Sequence, residues 1–358
     1  MKKIGIVTGG GDCPGLNAVI RSVSKAAAKR GWESIGVLGG YEGLLEPMRV
    51  RDLRYEQLGD LLTRGGTILG TANRGKFSTR VGHGERRRVP DDLLAAVKKG
   101  CDALDLSALV CLGGDGTLTT AQQLYEFGIP VIGIPKTIDN DLDCTDYTFG
   151  FDSAVACATD AMDRLHTTAE SHDRVIVLEV MGRYSGWIAL YAGVAGGADA
   201  ILIPEIPFRY ESIHARIRER ESHGKLFALV VVAEGASQKG HGMVSLGDRA
   251  EGEVRLGGVS AVVAREIEKL TGRETRNVVL GHLQRGGTPT PFDRALCTMF
   301  GAAAVELIAA GDFGKMVAFQ GIEVTSVPIR QAIERLKTVP LDDTLMRTAR
   351  AMGISLGD

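Results

Sequence analysis

Residues 108–141 read ALVCLGGDGTLTTAQQLYEFGIPVIGIPKTIDND. Residues 108–112 are apolar and run into two glycines, 117–127 have helical spacing, and 131–134 are apolar again after Pro130. That order is a β-α-β unit, in which the loops at the carboxyl ends of both strands open on one edge of the sheet, where ligands of α/β proteins collect. GGDGT and PKTIDND are therefore expected to face one crevice. The first loop offers small residues for close backbone approach, a helix N-terminus for anions, and Asp115 where a metal carried by a phosphate would sit. The second offers Lys136, the Thr137 hydroxyl and the carboxylates of Asp139 and Asp141. Phosphoryl transfer calls for this combination, because donor charge must be neutralised while a base orients an acceptor hydroxyl.

Toward the N-terminus, an apolar strand at 2–7 breaks into TGGGDCPGLN before a helix at 17–30, a second place where backbone N–H groups can meet an anion. The turn is neither a Walker A loop nor GxGxxG, since Pro14 and Gly15 occupy the wrong places and no GK[ST] follows. After a strand at 34–38, Tyr41 is placed either to lie against a flat ring or simply to pack. Residues 70–76 imitate GxxxxGK, but Phe77 stands where Ser or Thr would ligate magnesium. Arg74 on that glycine-rich loop is a candidate phosphate clamp. The basic run 85–88 reads as a solvated face. Among the aspartates of 139–146, Asp143 and Asp146 suit turn and cap roles, whereas Asp139 and Asp141 follow a strand directly.

Toward the C-terminus, a helix at 153–171 and a strand at 174–180 lead to Met181, Gly182 and Arg183. Arg183 sits just past a strand end, where a guanidinium can brace a transferring phosphoryl group. Residues 226–233 are apolar throughout and read as a strand buried on both faces, closed by Glu234. Residues 235–258 read as an exposed loop or hairpin. After a helix at 259–271, Arg276 comes before a strand and His282 and Arg285 after it, a set suited to a phosphate dianion. Beyond Pro291 the chain reads as helical, with a short strand near 317–319 and an amphipathic helical tail over 329–352.

A chain of 358 residues has room for two modest domains with real cores. A formal charge of −2 gives no general attraction to nucleic acid or membrane. The 6 cysteines lack CxxC spacing and read as reduced thiols of a cytoplasmic protein, and the N-terminal apolar run is too short for a signal peptide. The nearly uncharged stretch 186–204 is interrupted by small residues and Asp199, so it reads as a helix and a buried strand and not as a membrane span.

Five segments, GGGDCPGLN (9–17), GGDGT (113–117), PKTIDND (135–141), MGRYSGW (181–187) and GHLQRGGTP (281–289), resemble in order and spacing the motifs of the 6-phosphofructokinase family. GGDGT alone also occurs in NAD kinases and diacylglycerol-type lipid kinases; the other segments narrow the resemblance. It implies an α/β fold of two Rossmann-like three-layer domains with the active site in the cleft between them. Residues 1–150 with 284–334 would bind the phosphoryl donor, and 151–283 with 335–358 would bind fructose 6-phosphate. It further implies that Gly11, Arg74, Gly114, Asp115, Gly116 and Thr117 bind the donor, with Asp115 acting through Mg2+ and Tyr41 flanking the adenine. Asp139 would take the proton of the sugar 1-hydroxyl, Thr137, Ile138 and Asp141 would hold the local geometry, and Arg183 would stabilise the phosphoryl group in flight. Met181, Gly182 and Glu234 would hold the sugar, while His282 and Arg285 grip its 6-phosphate. Arg174 and Arg276 would reach a neighbouring subunit's site in a homo-oligomer, a dimer or tetramer.

Two positions disagree about the donor. Gly116 resembles the ATP users of the family, because no side chain crowds the α-phosphate; Lys136 resembles the pyrophosphate users. ATP is the expectation, since a clash forbids binding outright while an added cation only adjusts it. Pyrophosphate as donor and sedoheptulose 7-phosphate as acceptor are the alternatives. Arg21, Lys25, Arg54 and Lys225 match the family's effector pocket, but His223 and Asp199 depart from it, so the resemblance assigns neither an effector nor its absence.

Overall fold

The structure is a computed structural model and describes residues 2–72, 75–81, 85–248 and 254–358. Arg74 lies outside the described residues. The chain divides into two compact units, Met1–Ser153 with Arg285–Leu336, and Ala154–Gln284 with Lys337–Asp358.

The first unit is built on a seven-stranded sheet in the order Glu323–Pro328, Lys315–Gln320, Val131–Pro135, Ala108–Gly113, Lys3–Thr8, Glu33–Val37, Val50–Asp52. The five inner strands run parallel, and an antiparallel strand closes each edge. Ala108–Gly113 and Val131–Pro135 are buried at every residue, as strands covered on both faces must be. Helices Leu16–Lys29, Asp91–Ala103, Asp115–Glu126 and Pro291–Ala310 belong to this unit. Lys3–Thr8 has Glu33–Val37 on one side and Ala108–Gly113 on the other, so the crossovers diverge there. Such a switch point opens a crevice beyond the carboxyl ends of the two strands, which here carry the glycine turn after Thr8 and the GGDGT loop.

The second unit holds a parallel four-stranded sheet in the order Thr275–Val279, Val175–Val180, Ala228–Ala233, Ala200–Leu202. Its two inner strands are wholly buried. The buried strand expected from 226 starts at Ala228, because Leu226 is still exposed. The segment after Glu234 contains a hairpin, Ser245–Asp248 against Val254–Leu256. The uncharged stretch 186–204 resolves into helix Trp187–Ala195 and strand Ala200–Leu202, and no described helix is long and apolar enough to cross a membrane.

The C-terminal tail departs from the sequence reading. Lys315–Gln320 turns through Gly321 and Ile322 into an antiparallel edge strand, Glu323–Pro328, that the reading lacks. The expected helix over 329–352 is two short ones, Ile329–Ala332 and Thr344–Ala351. Pro340 keeps a single helix from running through 339–340, since the residue before a proline is driven out of helical geometry. Asp343 then restarts the helix by accepting from the Leu345 N–H at 2.7 Å.

Three carboxylates, Asp293 and Glu179 buried and Glu205 half-buried, hold helix starts, supplying partners for N–H groups that a helix cannot satisfy itself. Asp293 accepts from Gly150 N (3.0 Å), Ser153 N (2.9 Å) and Ser153 Oγ (2.6 Å) at the head of Phe151–Ser171. Glu179 accepts from Gly258 N (3.1 Å), Ser260 N (2.9 Å) and Ser260 Oγ (2.8 Å) at the head of Val259–Thr271. Glu205 accepts from Gly186 N (3.0 Å) and Val339 N (2.8 Å) at the head of Trp187–Ala195.

Burial pushes the Asp293 carboxyl from its ordinary 3.8 up to about 6, against the pull of the Ser153 and Gly150 hydrogen bonds. A raised carboxyl favours the fold while protonated, so its contribution is complete below 3.8 and is lost as the pH climbs toward about 6. Asparagine does not titrate. The melting temperature of the wild type relative to Asp293→Asn should therefore fall between about pH 4 and 6 and stay level above that. Calorimetric melting across this range checks it, and a relative rise in that window would contradict the assignment.

Candidate active site

In the first unit the phosphate-type loops converge as the β-α-β reading expects. Lys136 N donates to Gly113 O at 3.1 Å, and a Cβ placed on Gly114 would lie 3.2 Å from Lys136 O and 3.8 Å from Thr137 Cβ. Asp115 and Gly116 fall in the first turn of helix Asp115–Glu126, and the Thr117 side chain packs over Gly9 and Gly113. The glycine turn is pinned on several sides. Gly9 N donates to Leu112 O (2.9 Å), Gly10 N to Ala72 O (3.2 Å), and Thr71 Oγ1 to Gly10 O (2.6 Å).

Two cations meet at Gly11. Lys136 Nζ donates to its carbonyl at 2.5 Å, and the Arg285 guanidinium covers its Cα so closely that a Cβ would lie 1.6 Å from Nη1. A side chain at position 11 would thus displace the Arg285 guanidinium from the turn. Arg285 also carries a buried Nε with no hydrogen-bond partner among the described residues. Lys136 is 5% exposed; burial lowers its pKa, the nearby Arg285 adds to that, and Cys13, Asp141 and Asp12 oppose it.

The turn that carries Asp139 is fixed by residues sequence reasoning passed over. Asn140 is buried, has a left-handed backbone (φ 50°), accepts from Thr148 N at 3.0 Å and donates to Asp146 O at 3.1 Å. Asparagine is among the few residues that take this conformation readily, which is the local signal that was available. Thr137 Oγ1 accepts from Asp139 N (3.1 Å), and Thr148 Oγ1 donates to Thr137 O (2.7 Å). Ile138 is only 4% exposed and its side chain lies at Gly150, so only its backbone remains for a ligand. Asp143 and Asp146 do serve turns, accepting from Cys144 N (2.9 Å) and Gly321 N (2.6 Å).

Of the two readings of Tyr41, packing is the one observed. The residue is 5% exposed within the core, its ring centroid 5.7 Å from that of Phe77, and its hydroxyl donates to Thr117 O at 3.0 Å. It packs behind helix Asp115–Glu126, with its ring buried.

In the second unit the Met181–Gly182–Arg183 turn follows strand Val175–Val180. It is tied to the neighbouring strand end by Glu234 N to Val180 O (2.9 Å) and Gly235 N to Gly182 O (3.1 Å). Arg183 lies 5.5 Å from the Tyr184 ring centroid. Gln284, fully buried and unremarked in the sequence, accepts from Met181 N at 3.3 Å and so links this turn to the turn Gly281–Arg285, where His282 is exposed. Arg276 corrects the sequence reading: it is the second residue of strand Thr275–Val279, paired with Ile176, and does not precede the strand. It lies with Arg174 at the amino ends of the strands, and both arginines pair with Glu274, Arg174 at 2.9 Å. The strand therefore separates Arg276 from His282.

The sequence profile of the phosphofructokinase family matches residues 3–308. The chain belongs to the phosphofructokinase family. An enzyme of Chloroflexus aurantiacus called ATP-dependent 6-phosphofructokinase is 51% identical over 357 residues, covering 100% of this chain and 98% of its own. A Streptomyces coelicolor relative called pyrophosphate–fructose 6-phosphate 1-phosphotransferase is 50% identical over 341 residues, or 94% of this chain and 96% of its own. Among solved structures, phosphofructokinase from Saccharomyces cerevisiae superposes with a TM-score of 0.80 at 30% identity, over 93% of this chain and 45% of the yeast chain. The family's relatives thus include both donors that Gly116 and Lys136 point to.

Proposed function

We propose that this phosphofructokinase-family protein transfers a phosphoryl group from ATP to the 1-hydroxyl of fructose 6-phosphate, giving fructose 1,6-bisphosphate. The observation that carries the donor assignment is the space at Gly116. A Cβ there would meet nothing closer than Thr79 Oγ1 at 3.5 Å, and the backbone is not left-handed, so the fold itself does not require glycine. A residue that the fold leaves free to be larger, yet is bare, fits a ligand that needs the room. The 51% identity to an ATP-dependent relative supports the same reading.

In this reading Asp139 takes the hydroxyl proton, oriented through its N–H on Thr137, and Arg183 neutralises charge on the phosphoryl group during transfer. Lys136 and Arg285 bring positive charge to the Gly11 loop, with Arg285 and His282 assigned to the sugar phosphate. Glu234, Met181 and Gly182 hold the sugar. Among the described residues no three acidic, histidine or cysteine side chains converge into a metal cage. Mg2+ commonly binds through one or two carboxylates, water and substrate phosphates, and Asp115 in the first turn of the donor helix fits the single-carboxylate role. Bound there, the ion would neutralise the donor phosphates.

Arg174 and Arg276 support a homo-oligomer. They lie toward the amino ends of strands whose carboxyl ends lead to Arg183 and His282, Arg174 about 20 Å from the end of its six-residue strand and Arg276 about 10 Å from the end of its five-residue strand. One chain's own copies are thus poorly placed for the phosphate that its His282 would meet, whereas a second copy is not so limited.

The test is a coupled assay of the purified protein with fructose 6-phosphate and either ATP or pyrophosphate. A kcat/KM at least about tenfold higher with ATP is expected, and equal values would overturn the donor assignment. Gly116→Asp should then lose ATP turnover while still melting cooperatively, because a Cβ at that position makes only ordinary van der Waals contact. Sedoheptulose 7-phosphate in place of fructose 6-phosphate tests the acceptor in the same assay.

A further inference from the structure

Among the described residues, the room beside Gly116 is bounded by Thr79, in the segment 75–79. Thr79 is 2% exposed, and its hydroxyl donates to Gly116 O at 2.9 Å. Its own carbonyl accepts from Arg87 N at 2.7 Å. Two residues earlier, Phe77 O accepts from Thr120 Oγ1 at 3.3 Å, and Thr120 Oγ1 lies equally close to Gly116 O. At the far end Lys76 N donates to Glu42 Oε1 at 2.9 Å. The segment is therefore fastened to the donor helix at one end and to the 40–44 turn at the other. The same turn carries Tyr41, whose ring faces Phe77 and whose hydroxyl binds Thr117 O.

Resting on the reading of Gly114–Thr117 as the donor loop, we propose that Thr79 is a positioning residue for donor selectivity. Through its hydrogen bond to the Gly116 carbonyl it sets the first-turn peptide and holds the 75–79 wall at the distance that admits a nucleoside triphosphate. Residue 116 decides whether there is room, and Thr79 decides where that room ends. The hydroxyl does no chemistry and touches no acceptor. The acceptor that this buried hydroxyl uses is the carbonyl of the one residue of helix Asp115–Glu126 that lacks a side chain. A hydroxyl without a partner in that position would cost stability, so the bond fixes the wall and the helix as one piece. The acceptor-side residues Asp139 and Thr137 make none of these contacts.

The experiment compares Thr79→Val, which keeps the shape and removes the donor hydroxyl, with Thr79→Ser, which keeps the hydroxyl. Steady-state kinetics are run with ATP varied and with fructose 6-phosphate varied, each variant first shown to melt cooperatively. T79V is expected to raise the KM for ATP about five- to tenfold, the loss of one buried hydrogen bond, with kcat and the KM for fructose 6-phosphate within about twofold. T79S is expected to restore the KM for ATP. Equal rises in both KM values, an unchanged KM for ATP in T79V, or a T79S variant as impaired as T79V would overturn the proposal. If T79V does not fold, Thr79→Ala is measured with the same readings. Failure of the donor reading itself is distinguishable, because it shows in the wild-type protein as a kcat/KM with ATP no higher than with pyrophosphate.

Discussion

Asp139→Asn is expected to lower kcat by about 10²–10⁴ while fructose 6-phosphate binds within about threefold of the wild-type affinity. The substitution is isosteric and leaves the backbone contact from residue 139 to Thr137 Oγ1 in place. The turn is also held by Asn140 and Thr148, whose contacts the substitution leaves in place. A general base acts only once the hydroxyl proton is in motion, which is why kcat moves and ground-state affinity does not. Single-turnover rates combined with calorimetric titration of the sugar phosphate separate the two quantities. Activity within about tenfold of wild type would remove Asp139 from the role of base.

Gly235→Ala should be nearly as damaging although residue 235 carries no chemistry. An added Cβ would lie 1.9 Å from Arg183 O, 2.7 Å from Arg183 C and 3.0 Å from Gly182 O, all backbone atoms that no rotamer change can move aside. The turn bearing Arg183 must shift as a unit. Misplacing a reacting group by about 1 Å is worth about 10² in rate, and overpacking of this kind costs about 1–3 kcal/mol in stability. Gly242→Ala is the control, since nothing lies within 4 Å of a Cβ there. Thermal melts and kcat for both variants check the expectation, and a G235A protein as active as G242A would show that the turn is free to move.

The sequence made the parallel strands and their loops legible because those signals are local: apolar runs, glycines at strand ends and a helical period between them. Residues 108–141 fold as read, with the helix starting at Asp115, two residues ahead of the apolar spacing, because its first turn carries Gly116. What was not legible depends on partners distant in the chain. Gln284 looks like a spacer between His282 and Arg285 until Met181 N is found against its side chain. Gly235 reads as a loop glycine until the Arg183 carbonyl is found where its Cβ would be. Glu323–Pro328 has no clean alternation, because an edge strand of mostly half-buried residues need not show one. Tyr41 offered two readings, and only the carbonyl of Thr117 chose between them.

The distant capping of Phe151–Ser171 by Asp293 bears on the order in which a nascent chain can complete itself. The first unit takes its N-terminal portion up to Ser153, but two strands of its sheet and Asp293 come after Arg285. A ribosome-bound chain halted before Arg285 holds an incomplete sheet whose inner strand Val131–Pro135 has an open edge. The second unit cannot close earlier, since it ends with residues 337–358. The first unit is complete in sequence at Leu336, before the second receives its 337–358 segment, so the first can close ahead of the second and neither can close before Arg285 is made. Ribosome-stalled chains of increasing length should accordingly gain protease resistance only beyond Arg285, the first unit ahead of the second.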